Sequence, residues 1–275
     1  MEQQARGSHH WCIGQEPARR YLLRPNHTVV GSIRCNKSSP EVADLSATQP
    51  AHGSQLHLVH IESTSASDPA QAVEGIKALG IEHLDVVIAN AGGGTFPVMP
   101  LDKVDVDDMM TTFRINAVGS LLLYQVCKPL LQKAVSPKWI SVTSGGGSIS
   151  MIGAIRSYIG PAYGASKAAL NWITSAIHFQ NEWIIAIALH PGYWGSFFLG
   201  SSCMKRLRVP CFLTVLHRLV QTGPGNATAQ MFGMEKAPHT IERCVERMMT
   251  VIDEATREET SGKFIRAIEG TEVGW

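Results

Sequence analysis

Residues 84–94 read LDVVIANAGGG: an apolar, β-branched run from Leu84 to Ala89 that stops abruptly at Asn90-Ala91-Gly92-Gly93-Gly94. A run without polar alternation fits a strand buried on both faces, as strands of a parallel sheet are. Glycine at its carboxyl end lets backbone approach a ligand closely, because no Cβ intervenes. Two other runs end in the same manner. Trp139–Thr143 leads into Ser144-Gly145-Gly146-Gly147-Ser148, and Ile184–Leu189 leads into His190-Pro191-Gly192. His27–Ile33 and Leu56–Ile61 add two more candidate strands. Helical patterns separate them over Asp68–Leu79, Asp105–Lys133, Ala162–Asn181 and Thr240–Glu259. The alternation predicts an α/β fold with a doubly wound parallel sheet, whose ligands sit beyond the carboxyl ends of the strands. One glycine cluster is weak evidence of a site. Three at strand ends are not.

The composition narrows the class. A chain of 275 residues can bury a substantial core. Lys+Arg is 24 and Asp+Glu is 23, so there is no basic excess for nucleic acid and no acidic tail. The six cysteines are scattered without a C-x-x-C, which argues against a zinc site or a disulfide framework and for reduced thiols. No apolar run approaches the roughly 18 residues of a membrane span, and MEQQARGSHHW has no apolar signal core. A cytoplasmic protein with no metal, nucleic-acid or membrane partner is expected.

Beyond the second glycine cluster, residues 161–170 read PAYGASKAAL. Tyr163 and Lys167 are four apart, so on a helix they stand one above the other. A cation beside a phenol favours phenolate and lowers the tyrosine pKa from its ordinary value near ~10. The bland reading is an aromatic at a helix start and a solvated lysine. The rest of the chain moves the balance.

Taken together, NAG at Asn90–Gly92, Asn116 within RINAVGS, Ser144 closing WISVTS, YGASK at Tyr163–Lys167 and HPG at His190–Gly192 resemble the short-chain dehydrogenase/reductase family in order and spacing. The stretches ASKAALNW, FGMEKAP, IDEATREETSGKF and EGTEVGW resemble its fungal norsolorinic acid ketoreductase-like branch. The resemblance implies a Rossmann-like fold and a catalytic set of Ser144, Tyr163, Lys167 and Asn116. Tyr163 would exchange a proton with the carbonyl or alcohol oxygen. Lys167 would lower the tyrosine pKa and meet the nicotinamide ribose. Ser144 would hold the substrate oxygen, with Ser148 and Ser150 near enough to compete for that role. Asn116 would support a proton-relaying water, or merely bond to backbone as a buried amide. Asn90 reads as a strand-end clamp, His190 as structural, and Trp172 and Trp183 as core or interface aromatics.

Two departures stand out. The family opens with an apolar strand and a T-G-x-x-x-G-x-G turn whose amides meet the pyrophosphate at a helix N-terminus. Here Gly7-Ser8-His9-His10-Trp11-Cys12-Ile13-Gly14 falls in that register, and only Ile13 and Gly14 fit it. Pro17 falls where the first helix should run, and MEQQAR cannot be a buried strand. The second departure follows Gly192. Removing residues 194–219 would join Pro191-Gly192-Tyr193 to Val220-Gln221-Thr222 and restore the family's cofactor-contacting segment, with Val220 and Thr222 beside the carboxamide. The insertion reads either as a substrate lid, with Ser196 as the carboxamide contact, or as an untranslated segment carried into a conceptual translation. Its clean borders favour the second. The expected organisation is one domain over 1–275, with an atypical N-terminus at 1–19 and the insertion at 194–219.

For cofactor choice, the second strand ends in Ile33-Arg34-Cys35-Asn36-Lys37, where relatives preferring NAD carry an acid. Arg34, with Lys37 beside it, suits a 2′-phosphate and favours NADP. Glu62 stands near the adenine position. The expected cofactor-binding set is therefore Ile13, Gly14, Arg34, Glu62, Asn90, Gly92, Tyr163, Lys167, Val220 and Thr222. These features imply NADPH-dependent reduction of a hydrophobic, aromatic polyketide-type carbonyl in secondary metabolism, by a homo-oligomer. The rival reading is a cofactor-poor relative that serves as a binding or dimerisation partner.

Overall fold

All five apolar runs form strands: β1 (Thr28–Ile33), β2 (Gln55–His60), β3 (Val86–Ala89), β4 (Lys138–Val142) and β5 (Ile185–His190). The structure is a computed structural model that describes residues 11–34, 40–94, 99–155, 160–192, 220–221, 226, 229–230 and 235–275. Two short strands escaped the sequence reading, β6 (Phe264–Arg266) and β7 (Thr271–Val273). Three residues each leave too little periodicity to read.

The parallel sheet is the one expected, interrupted where the sequence offers no apolar first strand. β3, β4, β5 and β6 pair in parallel and β7 closes antiparallel on β6, but β1 and β2 form a separate parallel pair. Among the described residues, no strand pairs with the second edge of β1 or of β3. Burial records the interruption. β5 is buried at every position, whereas β2 has no buried residue and β3 only Ala89.

Both sheets nevertheless share a core. Helix α3 (Asp68–Ala78) contributes Val73 and Ile76, and α5 (Gly119–Leu131) contributes Tyr124, Cys127, Leu130 and Leu131. Ala89 and Trp139 pack with them, and Val30 of β1, Val59 of β2 and Val87 of β3 lie against the same cluster. Tyr124 meets the Trp139 ring edge-on at 5.3 Å, a favoured aromatic geometry. The opposite face of the larger sheet presents Ile140, Ile185, Ile187 and Leu189 to α8 (Ile241–Asp253) through Met248, Val251 and Ile252. Alternate residues of β5 thus serve opposite helical layers, as the two-residue strand period requires. At the C-terminus of α8, the Lys138 ammonium donates to the carbonyls of Ile252 and Asp253 at 2.6 and 3.0 Å, where a cation offsets the helix dipole.

Helix α1 (Trp11–Leu22) runs through Pro17, which therefore does not end it; only the ladder bond that residue 17 cannot donate is lost. A short α2 (Pro40–Ser46) links β1 to β2. The stretch expected as one helix from Asp105 to Lys133 is divided. It runs as α4 (Val106–Phe113), a π turn over Arg114–Val118, and α5. Asp105 caps α4 by accepting from the Asp107 and Asp108 amides. The π turn carries Asn116 and buries it, in keeping with the frequency of such turns at functional sites. The helix expected to reach Glu259 stops at Asp253 and gives way to turns. A four-residue α6 (Ile152–Ile155) precedes α7 (Pro161–Gln180), the helix that carries the Tyr163/Lys167 pair.

Candidate active site

Gly160, at φ 77°, turns the chain into α7, and Pro161 occupies its first turn, where the missing N–H has no helical partner to lose. The pair of Tyr163 and Lys167 then faces the carboxyl ends of β3 and β4. Lys167 is not a solvated charge: it is 3% exposed. Its Nζ donates to the Val142 carbonyl at 2.9 Å and lies 5.8 Å from the Tyr163 ring centroid. Burial pushes the Lys167 pKa down to about 8. The Tyr163 phenol is instead pushed up to about 12, by burial, with a hydrogen bond from Ser144 pulling it back. This corrects the expectation that Lys167 lowers the tyrosine pKa here. The ammonium is engaged with Val142 beneath the ring and does not bond the phenol oxygen.

Ser144 follows β4 directly. Its Oγ accepts from the Gly146 amide at 3.1 Å, and its hydroxyl lies near enough to the Tyr163 phenol to lower the phenol's pKa. Ser148 and Ser150 do not compete. Ser148 Oγ donates to Gly274 O at 2.5 Å and lies 3.1 Å from Ser150 Oγ, while the Ser150 amide donates to Trp275 O at 2.9 Å. Both serines hold the C-terminal residues instead.

The loop after β3 closes over the same face. A Cβ on Gly94 would fall 3.2 Å from Tyr163 Cδ2, and one on Gly92 would fall 2.9 Å from Asn116 Oδ1 and 3.1 Å from Lys167 Nζ. Only glycine lets backbone pass that close. Asn116 secures this loop: its Oδ1 accepts from Gly93 N at 2.7 Å, and its Nδ2 donates to Gly93 O and Ser166 Oγ, both at 2.8 Å. Its carbonyl accepts from Ser120 Oγ at 3.1 Å. The backbone-bonding reading of Asn116 is the one its side chain fits. Asn90 is half-buried at the same strand end.

The cofactor-side residues are more dispersed. Arg34, at the end of β1, pairs with Glu62 beyond β2 at 3.9 Å, each about a third exposed. Glu62 Oε1 also accepts from the Thr64 amide, which fixes its direction. Ile13 and Gly14 lie in the first turn of α1. Val220 bridges to His239, and its side chain is buried with Cys244 and Ile268 rather than lining a cleft. Thr222, Lys37, Ser196, residues 1–10 (which include Gly7–His10 of the expected glycine-rich turn) and the whole insertion at 194–219 lie outside the described residues. His190 is buried and its carbonyl accepts from the Ala267 amide, a structural position. Trp183 packs against the core, whereas Trp172 is 70% exposed on α7.

Sequence reasoning missed two buried residues at the site, Thr143 and Asn171. Asn171 is four residues beyond Lys167 and eight beyond Tyr163, so helical spacing alone places it on the same face.

The short chain dehydrogenase family model matches residues 10–202. The chain is 47% identical to the short-chain dehydrogenase srdF of Neurospora crassa, over 96% of this chain and 93% of the relative. It is 34% identical to the norsolorinic acid ketoreductase stcE of Emericella nidulans, over 96% and 89%. Among solved structures, an NADPH-bound carbonyl reductase from chicken fatty liver superposes with a TM-score of 0.75 at 23% identity, over 96% of this chain and 90% of that one.

Proposed function

This chain belongs to the short-chain dehydrogenase family, and on that premise we propose that it reduces the carbonyl of a hydrophobic, aromatic polyketide-type substrate with NADPH. The observation that carries the reading is the convergence of Ser144, Tyr163 and buried Lys167 at the end of β4, under a glycine loop held by Asn116. The norsolorinic acid ketoreductases among its relatives support an aromatic ketone.

The residues present fit the nicotinamide end of the cofactor. Gly92 brings backbone to a point where a Cβ would meet Asn116 and Lys167, and the Lys167 ammonium is the donor suited to ribose hydroxyls. Arg34 is the cation available to a 2′-phosphate, once drawn from Glu62. Asn90 and Gly92 would border the nicotinamide, and Ile13, Gly14 and Thr222 complete the proposed binding set, which the buried Val220 side chain does not join. NADPH, when bound, supplies the hydride to the carbonyl carbon. Tyr163 then gives its phenolic proton to the substrate oxygen, a task suited to a phenol that burial keeps protonated. The Ser144 hydroxyl donates to that oxygen as negative charge develops on it. Lys167, held in place by the Val142 carbonyl, keeps its ammonium for the ribose hydroxyls rather than for the phenol. Such acid–base help contributes ~10²–10⁴-fold.

We read the chain as one domain, with 1–19 and 194–219 its atypical segments, acting in the cytoplasm. A homo-oligomer is supported by exposed apolar side chains on the neighbouring helices α4 and α7: Val106, Met110, Trp172 and Phe179. One observation favours the rival reading of a family member that binds without turnover. It is the interrupted sheet beside the expected pyrophosphate turn.

Thermal shift with NADPH and with NADH separates the two readings. A competent protein gains about 2.7 kcal/mol at a hundredfold excess over Kd. Charge-assisted contacts are worth ~1.5–3 kcal/mol, so Arg34→Asp should lower the NADPH-to-NADH affinity ratio at least about tenfold. No stabilisation by either nucleotide would favour the non-catalytic reading.

A further inference from the structure

Ser144 stands between two residues held by one side chain. Thr143 Oγ1 donates to Asn171 Oδ1 at 2.6 Å, and Asn171 Nδ2 donates to the Gly147 carbonyl at 3.2 Å. Thr143 and Asn171 are each 3% exposed. One amide of α7 therefore grips the chain immediately before Ser144 and again three residues after it.

The turn between these points is pressed hard onto α7. A Cβ on Gly147 would fall 2.7 Å from the Lys167 backbone carbon, and one on Gly164 would fall 3.0 Å from Gly146 O. The Gly146 amide donates to Ser144 Oγ at 3.1 Å and the Gly147 amide to Ser144 O at 2.9 Å. None of these bonds sets where the turn lies along the helix. Asn171 does, because it rides on the same helix as Tyr163 and Lys167, two turns below the phenol.

We propose that Asn171 is a positioning residue that acts through Ser144, fixing the serine hydroxyl against the Tyr163 phenol by clamping Thr143 and Gly147 to α7. The proposal rests on the reading of Ser144 as the donor to the substrate oxygen. Neither Asn171 nor Thr143 need touch substrate or cofactor for this role. Its signature is a loss of kcat with nucleotide affinity preserved, since Lys167 keeps its own bond to Val142.

The experiment is a double-mutant cycle on the full chain, with Ser144→Ala, Asn171→Ala and the pair, using phenanthrenequinone as carbonyl probe and NADPH as reductant. Residues that act as a unit are not additive. The expected result is at least about a tenfold loss of kcat for each single variant, NADPH Kd within about twofold of wild type, and a double variant no worse than Ser144→Ala. Amide exchange should quicken at Gly146 and Gly147 in Asn171→Ala, a readout independent of turnover. Thr143→Val removes the other arm of the clamp and carries the same test if Asn171→Ala does not fold; Thr143→Ser should restore kcat. Losses that multiply in the double variant overturn the proposal, because Asn171 then acts elsewhere than through Ser144. Full activity in Ser144→Ala overturns the reading of Ser144 first, and the clamp's role with it.

Discussion

Asn116 holds Gly93 by both of its backbone groups, accepting from the amide at 2.7 Å and donating to the carbonyl at 2.8 Å. The side chain thus imitates a paired strand and ties the glycine loop after β3 to the π turn between α4 and α5. Its remaining donor bonds Ser166, one residue before Lys167. Three elements of the site meet at this amide.

Asn116→Ala should therefore cost stability as well as activity. It leaves a buried donor and acceptor on Gly93 without partners, and an orphaned buried group costs ~1–3 kcal/mol. The expected loss is about 2–4 kcal/mol in urea denaturation, with turnover reduced alongside. A variant that loses turnover at unchanged stability would show that the side chain serves proton relay rather than the loop.

Lys167 gives the pH dependence of stability a distinct sign. Burial lowers its pKa to about 8 in the fold, from an ordinary value near ~10.4. Between those values the unfolded chain binds more protons, so this group's contribution to stability rises with pH. Tyr163, Tyr21, Cys127 and Cys244 are all pushed up to about 12 by burial, and they act in the opposite sense. The difference between wild type and Lys167→Met isolates the lysine. From pH 8 upward, wild type should gain relative to the variant, by about 3 kcal/mol at most. A flat difference would mean that the ammonium is solvated.

The interrupted sheet has a measurable consequence. Parallel strands β4 and β5 are paired on both sides, whereas β1 and β3 are each paired on one side only among the described residues. Amides on the free edges of Thr28–Ile33 and Val86–Ala89 should exchange much faster than those of β4 and β5. Uniform protection across all five strands would show that another segment pairs with these edges.

The sequence made the parallel strands legible because burial on both faces leaves a simple signal, an apolar run ending in glycine. The Tyr163/Lys167 pair was legible from helical spacing, and Ser144 from its place directly after β4. What the pattern did not carry was the direction of the pKa shifts, which depends on burial and on where Nζ finds its acceptor. Nor could it show the division of the helix at Asn116, since a π turn leaves no break in composition. Helical spacing put Asn171 on the Lys167 face, but nothing in the pattern said that an asparagine there would grip Thr143. The split sheet was foreshadowed by the polar MEQQAR stretch, but the half-burial of β1, β2 and β3 that follows from it is a tertiary property.

The most direct test of the central claim is a single-turnover measurement with enzyme in excess, following NADPH oxidation by phenanthrenequinone in wild type and in Tyr163→Phe. Phenylalanine keeps the ring that Gly94 packs against and removes only the proton donor. The expected result is a fall of about 10²-fold or more in the chemical step, with melting temperature and NADPH Kd nearly unchanged. Retention of more than about a tenth of the wild-type rate would contradict it, because general acid catalysis of this kind is worth at least ~10²-fold.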